Sequence, residues 1–177
     1  MNTPFPFFLN RLLLALLLLW AVALPAWAEK ADRLKKMEVE SDQPGKVDLQ
    51  NQIVVFNGNV VVTKGTMVIR ANRIEVRESP EGYQYATAIG SSNQLAGFRQ
   101  KREGVNEFIE GEAERLEYDS KADTIRFVNK ASVKRLRGTA VADEVTGALI
   151  TYDNTAELFT VSGGASAATP ANPTGRV

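Results

Sequence analysis

Residues 53–64 read IVVFNGNVVVTK, and apolar side chains recur at every second position on both sides of a short Asn-Gly-Asn sequence. Side chains point alternately to the two faces of a β-strand, so Val54, Phe56, Val60 and Val62 share one face. Asn and Gly tolerate a bend or a positive φ. The segment therefore predicts two strands that are joined by a corner and keep one apolar face.

The same pattern returns twice further along the chain. When Val47, Tyr118 and Tyr152 are aligned without gaps, the positions seven, nine and thirteen residues later are apolar in all three copies. The later corners are expected at residues 128–130 and 162–164. Short strands repeated at such a period are typical of a ladder-like jelly roll or a β-solenoid, and a plain β-sandwich is the alternative.

The remaining sequence extends this all-β interpretation. From Met37 to about Ala165, apolar residues recur at a spacing of two and never at sustained helical spacing, which indicates strand after strand. The charged residues 30–36 are the helix candidate. Residues 166–177 are rich in small residues, Gly and Pro, which predicts a disordered tail after one domain over residues 29–165.

One face of these strands is predicted to be the interior. In the second copy Ile125 and Phe127 match the apolar set, whereas Arg126 falls on the opposite face. An apolar face of this kind is either an ordinary packed core or an interior that admits a lipid. The inward residues by this assignment are Met37, Val39, Val47, Val54, Phe56, Val60, Val62, Met67, Ile69, Ile74, Val76, Ile109, Leu116, Tyr118, Ile125, Phe127 and Val133.

The N-terminus has the features of a secretory signal peptide. A 13-residue apolar run from Leu12 to Leu24 follows Arg11, and residues 26–28, Ala-Trp-Ala, have the small-x-small form of a cleavage site. The run is shorter than the roughly 18 residues that span a bilayer, so an uncleaved membrane anchor is the less favoured alternative. We expect cleavage after Ala28 and a mature protein in the periplasm.

The composition excludes several classes of chemistry. The 177 residues contain 21 Lys+Arg and 21 Asp+Glu but no His and no Cys. Without His and Cys there is no Ser-His-Asp triad, no thiolate nucleophile, no disulfide and no zinc site of the usual kind. Zero net charge argues against nucleic acid as a partner. We therefore expect a binding protein, not an enzyme, with no cofactor and no metal.

Polar clusters on the outward face have two interpretations each. Glu110, Glu112 and Glu114 are spaced about 6.5–7 Å apart along a strand, which overlaps the roughly 6.5–9.5 Å carboxylate spacing of inverting glycosidases. Nothing in the pattern holds one of them protonated, so a solvated acidic surface is favoured. The basic groups at residues 99–102 and 134–137 are expected either to contact phosphates or to prevent aggregation at strand edges.

The residues from Met37 to Val76, together with GEAERLEYD at 111–119 and ITYD at 150–153, resemble the LptA (OstA-like) family of periplasmic lipopolysaccharide-export proteins. The most specific part is F-x-G-N-V-x-V-T-x-G at residues 56–65, followed by I-x-A-[ND] at residues 69–72. The resemblance covers residues 33–165. The segments 77–98 and 134–143 are not aligned to the family pattern, so strand limits and faces there are not assigned.

The resemblance implies an open, slightly twisted antiparallel β-jelly roll of about sixteen short strands. It also implies that the lipid A part of lipopolysaccharide binds in an apolar groove formed by the inward residues, among them Met37, Val39, Val60 and Val62. Lys64 and Arg70 are the expected rim contacts for phosphate. No catalysis and no cofactor are implied.

The family resemblance further implies a bridge between the two membranes of a Gram-negative bacterium, for outer-membrane assembly. In that bridge the related protein LptC meets the N-terminal edge, the periplasmic domain of LptD meets the C-terminal edge, and copies of the chain associate end to end. From another functional class, a glycan-binding or purely structural periplasmic β-solenoid is the alternative. Exposed aromatic side chains on one flat face would favour glycan binding.

Overall fold

The structure, a computed structural model, describes residue 32 and residues 35–102, 104–164 and 173–174. The expected signal peptide, most of the helix candidate and the expected tail lie outside the described residues, except that Pro173 and Thr174 form a turn. The described residues form eleven antiparallel strands: β1 (Glu38–Glu40), β2 (Lys46–Asp48), β3 (Ile53–Lys64), β4 (Met67–Glu78), β5 (Gln84–Ile89), β6 (Ala96–Lys101), β7 (Glu107–Ala113), β8 (Arg115–Asp119), β9 (Thr124–Arg137), β10 (Ala140–Asp153) and β11 (Leu158–Ser162).

The sheet folds into two layers because four long strands, β3, β4, β9 and β10, cross a corner. The first layer has the order β2–β3–β4–β5–β8–β9–β10–β11. The second layer has the order β1–β3–β4–β6–β7–β9–β10. Phe98 in the second layer contacts Phe127 in the first layer edge to face, with ring centroids 5.7 Å apart. The two layers therefore pack face to face over a shared core.

The first two corners lie where the sequence predicts them. Gly58 has a φ of 74° and Asn59 a φ of 44°, and the register of β3 against β4 shifts there. Asn129 and Lys130 have φ values of 64° and 50° at the equivalent positions of β9. In the third copy the described strand ends at Ser162, directly at the expected corner.

A hydrogen-bonded turn repeats with the same period. The carboxylates of Asp48, Asp119 and Asp153 each follow an aligned landmark residue, and each Oδ1 accepts two backbone N–H groups at 2.8–3.1 Å. Such Asx turns let a short polar side chain replace a missing backbone partner. The last residue of each turn has a positive φ: Gln52 (53°), Asp123 (53°) and Glu157 (52°).

Inward side chains line up in rows across the strands. One row of the first layer links directly opposed residues from the N-terminal to the C-terminal edge: Val47, Val54, Val76, Ala86, Tyr118, Ile125, Tyr152 and Phe159. Cross-strand neighbours on one face are close enough to pack. The rows therefore form one continuous apolar surface along the stack.

The segments that the sequence pattern leaves unassigned also form strands. Residues 77–98 contain β5 and the start of β6, and residues 134–143 contain the β9–β10 hairpin, which turns at Gly138 with a φ of 61°. The inward residues of the first segment include three alanines, Ala86, Ala88 and Ala96. Alanine is a weak signal of apolar alternation, and this is why the period of two is hard to see there.

Candidate functional site

Most residues of the predicted inward face lie in the core. The ones with at most 8% of their surface exposed are Val60, Val62, Met67, Ile69, Ile74, Ile109, Leu116, Tyr118, Ile125, Phe127 and Val133. Met37, Val39, Phe56 and Val76 are partly buried and pack against them. The face chosen from the alternation of side chains is thus the interior of the fold.

The N-terminal end of this interior is less covered. Val54 is half-buried. Val47 is 60% exposed, so its expected place in the interior is wrong. Val47 does share the face of Val54, its partner across the ladder. However, β2 is an edge strand, and among the described strands only β3 pairs with it, so Val47 is covered from one side.

The two expected rim residues lie on different faces. Lys64 is 7% exposed and points inward, with its Nζ 3.4 Å from the Tyr118 hydroxyl and 5.6 Å from the centre of that ring. Arg70 is exposed on the outer surface, between Val61 and Gly97 in the ladder. The alternation of side chains along a strand explains both orientations. Lys64 follows the buried Val62 by two residues and points to the same face, whereas Arg70 directly follows the buried Ile69 and points to the opposite face.

The edge opposite the corner is the mouth of the two-layer structure. Its second-layer lip contains Lys64, Met67 and Gln100, and its first-layer lip contains Tyr118 and Tyr152. These residues line a cavity of about 20 Å³ between the layers. Such a cavity has room for about one water molecule. Packed side chains therefore close the mouth.

Polar groups concentrate at this mouth, whereas the deeper core is apolar. Lys64, Gln100 and Asp123 are the buried polar or charged residues of the described part of the chain. An Asp123 carboxylate oxygen accepts a hydrogen bond from Asn154 Nδ2 at 3.1 Å. Burial raises the pKa of Tyr152 to about 12. The mouth thus offers hydrogen-bonding groups directly above an apolar interior.

An ionic network joins the two lips at the C-terminal part of the mouth. Arg102, just after β6, donates to Glu107 at 2.5 Å and also pairs with Glu157 in the turn before β11. The bond to Glu157 is the main cause of the raised pKa of Arg102. Glu107 also accepts from Arg137 Nε at 2.8 Å and pairs with Arg135 at 3.4 Å. The Arg137 hydrogen bond is the largest cause that lowers the pKa of Glu107.

Several of the acidic and basic residues singled out in the sequence form ion pairs. Glu110 pairs with Arg99, and Glu114 pairs with Lys130 at 2.7 Å. The Lys130 contact lowers the pKa of Glu114, which favours the ionised form and not a general acid. In the 134–137 group, Arg135 pairs with Asp143, and the other basic residues also contact carboxylates.

Among the described residues, no cluster of three or more acidic residues is arranged to hold a metal ion. The same part of the chain contains no helix that is long and apolar enough to cross a membrane.

Two features of the mouth are absent from the residues predicted from the sequence. Tyr152 is 2% exposed, and its alignment with Tyr118 is a sufficient signal that it faces inward. The pairing of Arg102 with Glu157 has no sequence signal, because the two residues are 55 positions apart.

A family model for the LptA/(LptD N-terminal domain) LPS transport protein, where LPS is lipopolysaccharide, matches residues 38–158. The chain belongs to this family. The lipopolysaccharide export system protein LptA of Escherichia coli K12 is 32% identical over 140 residues, which cover 77% of this chain and 74% of that protein. The LptA of Haemophilus influenzae is 27% identical over 128 residues, covering 72% and 70%. The resemblance found in the sequence is thereby confirmed.

The fold of the family is also found in a solved structure. The crystal structure of LptH from Pseudomonas aeruginosa, described as the LptA homologous periplasmic component of the lipopolysaccharide transport device, matches with a TM-score of 0.69. The two sequences are 20% identical, and the match covers 82% of this chain and 94% of that one. The prediction of an all-β, antiparallel jelly roll is confirmed. The described residues form eleven strands and not about sixteen short ones, because four long strands continue through the corner.

Proposed function

We propose that this protein is a periplasmic bridge protein that binds lipopolysaccharide and shields its lipid A part between the two layers during transport from the inner to the outer membrane. The observation that carries the proposal is the continuous apolar face of the first layer, which runs from Val54 on β3, beside the edge strand β2, to Phe159 on the edge strand β11. Membership of a family of lipopolysaccharide transport proteins supports it. The role is one of binding and transfer, without catalysis.

Physical chemistry explains why such an interior suits a lipid in transit. Exposing an acyl chain of about twelve carbons to water costs on the order of 10 kcal/mol, at about 0.8 kcal/mol per methylene. Apolar rows offset this cost without directional bonds, so an acyl chain can slide from one strand to the next. The inward residues other than the exposed Val47 are the proposed lining of this path.

A lipid enters only if the layers separate at the mouth, because the cavity there measures about 20 Å³. The corners at Gly58 and Asn129 lie on the opposite side of the structure. We infer that the corners stay folded while the mouth widens. Lys64, which lies inside the mouth, is then available to a phosphate of the headgroup, whereas Arg70 on the outer surface is not.

Charge reversal on the two faces of one strand tests the proposal. Ile125→Glu places an ionised group in the interior, where it must be desolvated beside acyl chains; Ile125 is 3% exposed. Arg126→Glu changes the next residue, which is exposed and pairs with Glu117 at 2.8 Å on the outer surface. We expect Ile125→Glu to lose lipopolysaccharide in a pulldown and Arg126→Glu to retain it.

A second interior variant keeps this test independent of folding. Phe56→Asp lies in the less covered N-terminal part of the interior, so the domain tolerates it better than a charge in the centre. Circular dichroism identifies variants that retain the fold. If a folded Phe56→Asp protein binds lipopolysaccharide as well as Arg126→Glu does, the interior is not the lipid site.

The location and processing of the chain are part of the same proposal. We infer a periplasmic protein that is released by cleavage after Ala28, with the domain over residues 29–165. LptH, which shares the fold, is described as a periplasmic component. The apolar run and the Ala-Trp-Ala site at residues 26–28 support export.

Edge strands provide the proposed contacts with partners. Among the described strands, β1 and β2 at one end and β11 at the other each pair on one side. Such strands carry unpaired N–H and C=O groups that accept a further strand. We infer that LptC adds to the N-terminal edge, that the periplasmic domain of LptD adds to the C-terminal edge, and that copies of this chain associate end to end.

Light scattering over a concentration series tests the self-association. Head-to-tail contacts do not close, so the mean mass is expected to rise with concentration. Thr160→Lys places a charge at an exposed position of β11 and is expected to keep the protein monomeric. Ser92→Lys adds the same charge in a distant exposed loop and serves as the control. A wild-type protein that stays monomeric at high concentration argues against the bridge but not against a lipid carrier.

A further inference from the structure

Polar contacts between described residues join the lips of the closed mouth. Lys64 of the second layer reaches the Tyr118 hydroxyl of the first layer at 3.4 Å. Arg102 of the second layer pairs with Glu157 of the first layer. Because the corner lies on the opposite side, any widening of the mouth separates these pairs. The Arg102–Glu157 contact joins two opposite charges, whereas the Lys64–Tyr118 contact joins a cation to a neutral hydroxyl.

The two carboxylates that hold Arg102 are not equivalent. The Glu107 side chain is 13% exposed and lies on the same layer as Arg102, where Arg135 and Arg137 also hold it. The Glu157 side chain is 38% exposed and lies in a turn of the opposite layer. Glu107 therefore orients the guanidinium, and Glu157 is the partner that can leave.

We propose that Arg102 exchanges Glu157 for a phosphate group of the lipid, so that binding of the anionic headgroup at the mouth releases the contact between the lips. This inference rests on the proposed function. Arg102 uses Nη1 for Glu107 and Nη2 for Glu157. A phosphate oxygen accepts a hydrogen bond from a guanidinium N–H as a carboxylate oxygen does, so Arg102 is paired before and after the exchange. Opening the mouth then leaves no unpaired charge at Arg102, and the freed Glu157 turns to solvent.

The position of Arg102 suits a headgroup whose acyl chains lie deeper. Tyr152 and Phe159 stack with ring centroids 4.4 Å apart on the neighbouring strands of the first layer, below the turn that holds Glu157. A phosphate on Arg102 thus places the attached acyl chains against these rings. Arg102 determines specificity in this scheme, because it distinguishes phosphorylated lipids from neutral ones.

Binding of lipid A with and without its phosphates tests the exchange. The wild type is expected to bind phosphorylated lipid A more tightly than the dephosphorylated form. Arg102→Gln is expected to weaken binding of the phosphorylated form about tenfold, equivalent to about 1.4 kcal/mol. The dephosphorylated form is expected to bind at least as tightly as to the wild type, because the variant also removes the contact between the lips. Glu157→Gln removes the competing carboxylate, so phosphorylated lipid A is expected to bind about two- to fivefold more tightly, the range for a partly exposed ion pair.

The control variant is Arg126→Gln, which removes an arginine on the outer surface. It is expected to bind both lipids as the wild type does. If Arg102→Gln keeps the wild-type preference for phosphate, or if Glu157→Gln weakens binding, the exchange is wrong although the protein is still a lipid carrier. A wild type that binds neither lipid overturns the proposed function and the exchange together.

A reversible tether across the mouth gives a second measurement. The chain contains no Cys, so Arg102→Cys with Glu157→Cys introduces the two thiols that a cleavable bifunctional reagent joins. The tethered protein is expected to take up less than about a tenth of the lipid that the same protein takes up after cleavage. Equal uptake in the two states would show that the lips do not separate here, and circular dichroism verifies the fold of both.

Discussion

The packing of the two layers rests on a glycine that faces a phenylalanine. Gly111 of β7 lies on the inward face, and a methyl group added to it would fall well inside van der Waals contact with Cε1 of Phe127. The Phe127 ring has no exposed surface and packs edge to face on Phe98. The ring therefore has no free space into which it can retreat, and Gly111→Ala must push the layers apart.

A second glycine provides a matched control, from which the expected loss of stability in Gly111→Ala can be estimated. Gly97 of β6 lies on the outer surface, and an added methyl group would meet nothing within 4 Å. Replacing a strand glycine by alanine stabilises a protein by about 0.5–1 kcal/mol through chain entropy, and this gain applies to both positions. Overpacking a core costs about 1–3 kcal/mol. Gly111→Ala is therefore expected to be less stable than Gly97→Ala by about 1–3 kcal/mol.

Denaturant unfolding followed by circular dichroism measures this difference. Gly97→Ala is expected to be as stable as the wild type or more stable, and Gly111→Ala to have the lower midpoint with an unchanged slope. The corresponding difference in melting temperature is about 2–4 °C per kcal/mol for a domain of this size. Equal stability of the two variants would refute the close face-to-face packing of the layers around Phe127.

Three further outcomes are expected. Asp119→Ala leaves two backbone N–H groups of the β8–β9 turn without their acceptor. In a denaturant titration this variant is expected to lower the free energy of unfolding by about 1–2 kcal/mol, and Asp119→Asn is expected to have an intermediate effect. Burial raises the pKa of Tyr152 from 10.0 to about 12. The stability that the neutral Tyr152 contributes is therefore complete below pH 10 and is lost as the pH rises through about 12. Tyr152→Phe should reduce this loss of stability at alkaline pH, as measured by tyrosinate absorbance and circular dichroism. Cleavage after Ala28 removes both Trp20 and Trp27, so the exported protein should show tyrosine-like fluorescence, and an intact mass that includes Trp27 would contradict the proposed site.

Much of the fold could be predicted because its signals are local. The alternation around Phe56 and Ile125 identifies the inward face, since a strand has a strict period of two. The corner at Asn57–Asn59 is visible because only a few residue types accept a positive φ. The faces around Ala86 and Ala88 cannot be assigned from the sequence, because small side chains differ little in polarity from their neighbours on the opposite face.

The sequence by itself determined the class of fold, the apolar face and the corners, because these depend on backbone geometry and on residues within a few positions of one another. Only the tertiary structure decided what covers that face: Val47 remains exposed at an open edge, whereas Lys64 is enclosed by the opposite layer. It alone also decided that Arg102 meets Glu157 across the mouth. Burial and ion pairing depend on which distant segments the fold brings into contact, and local sequence periodicity does not show which segments these are.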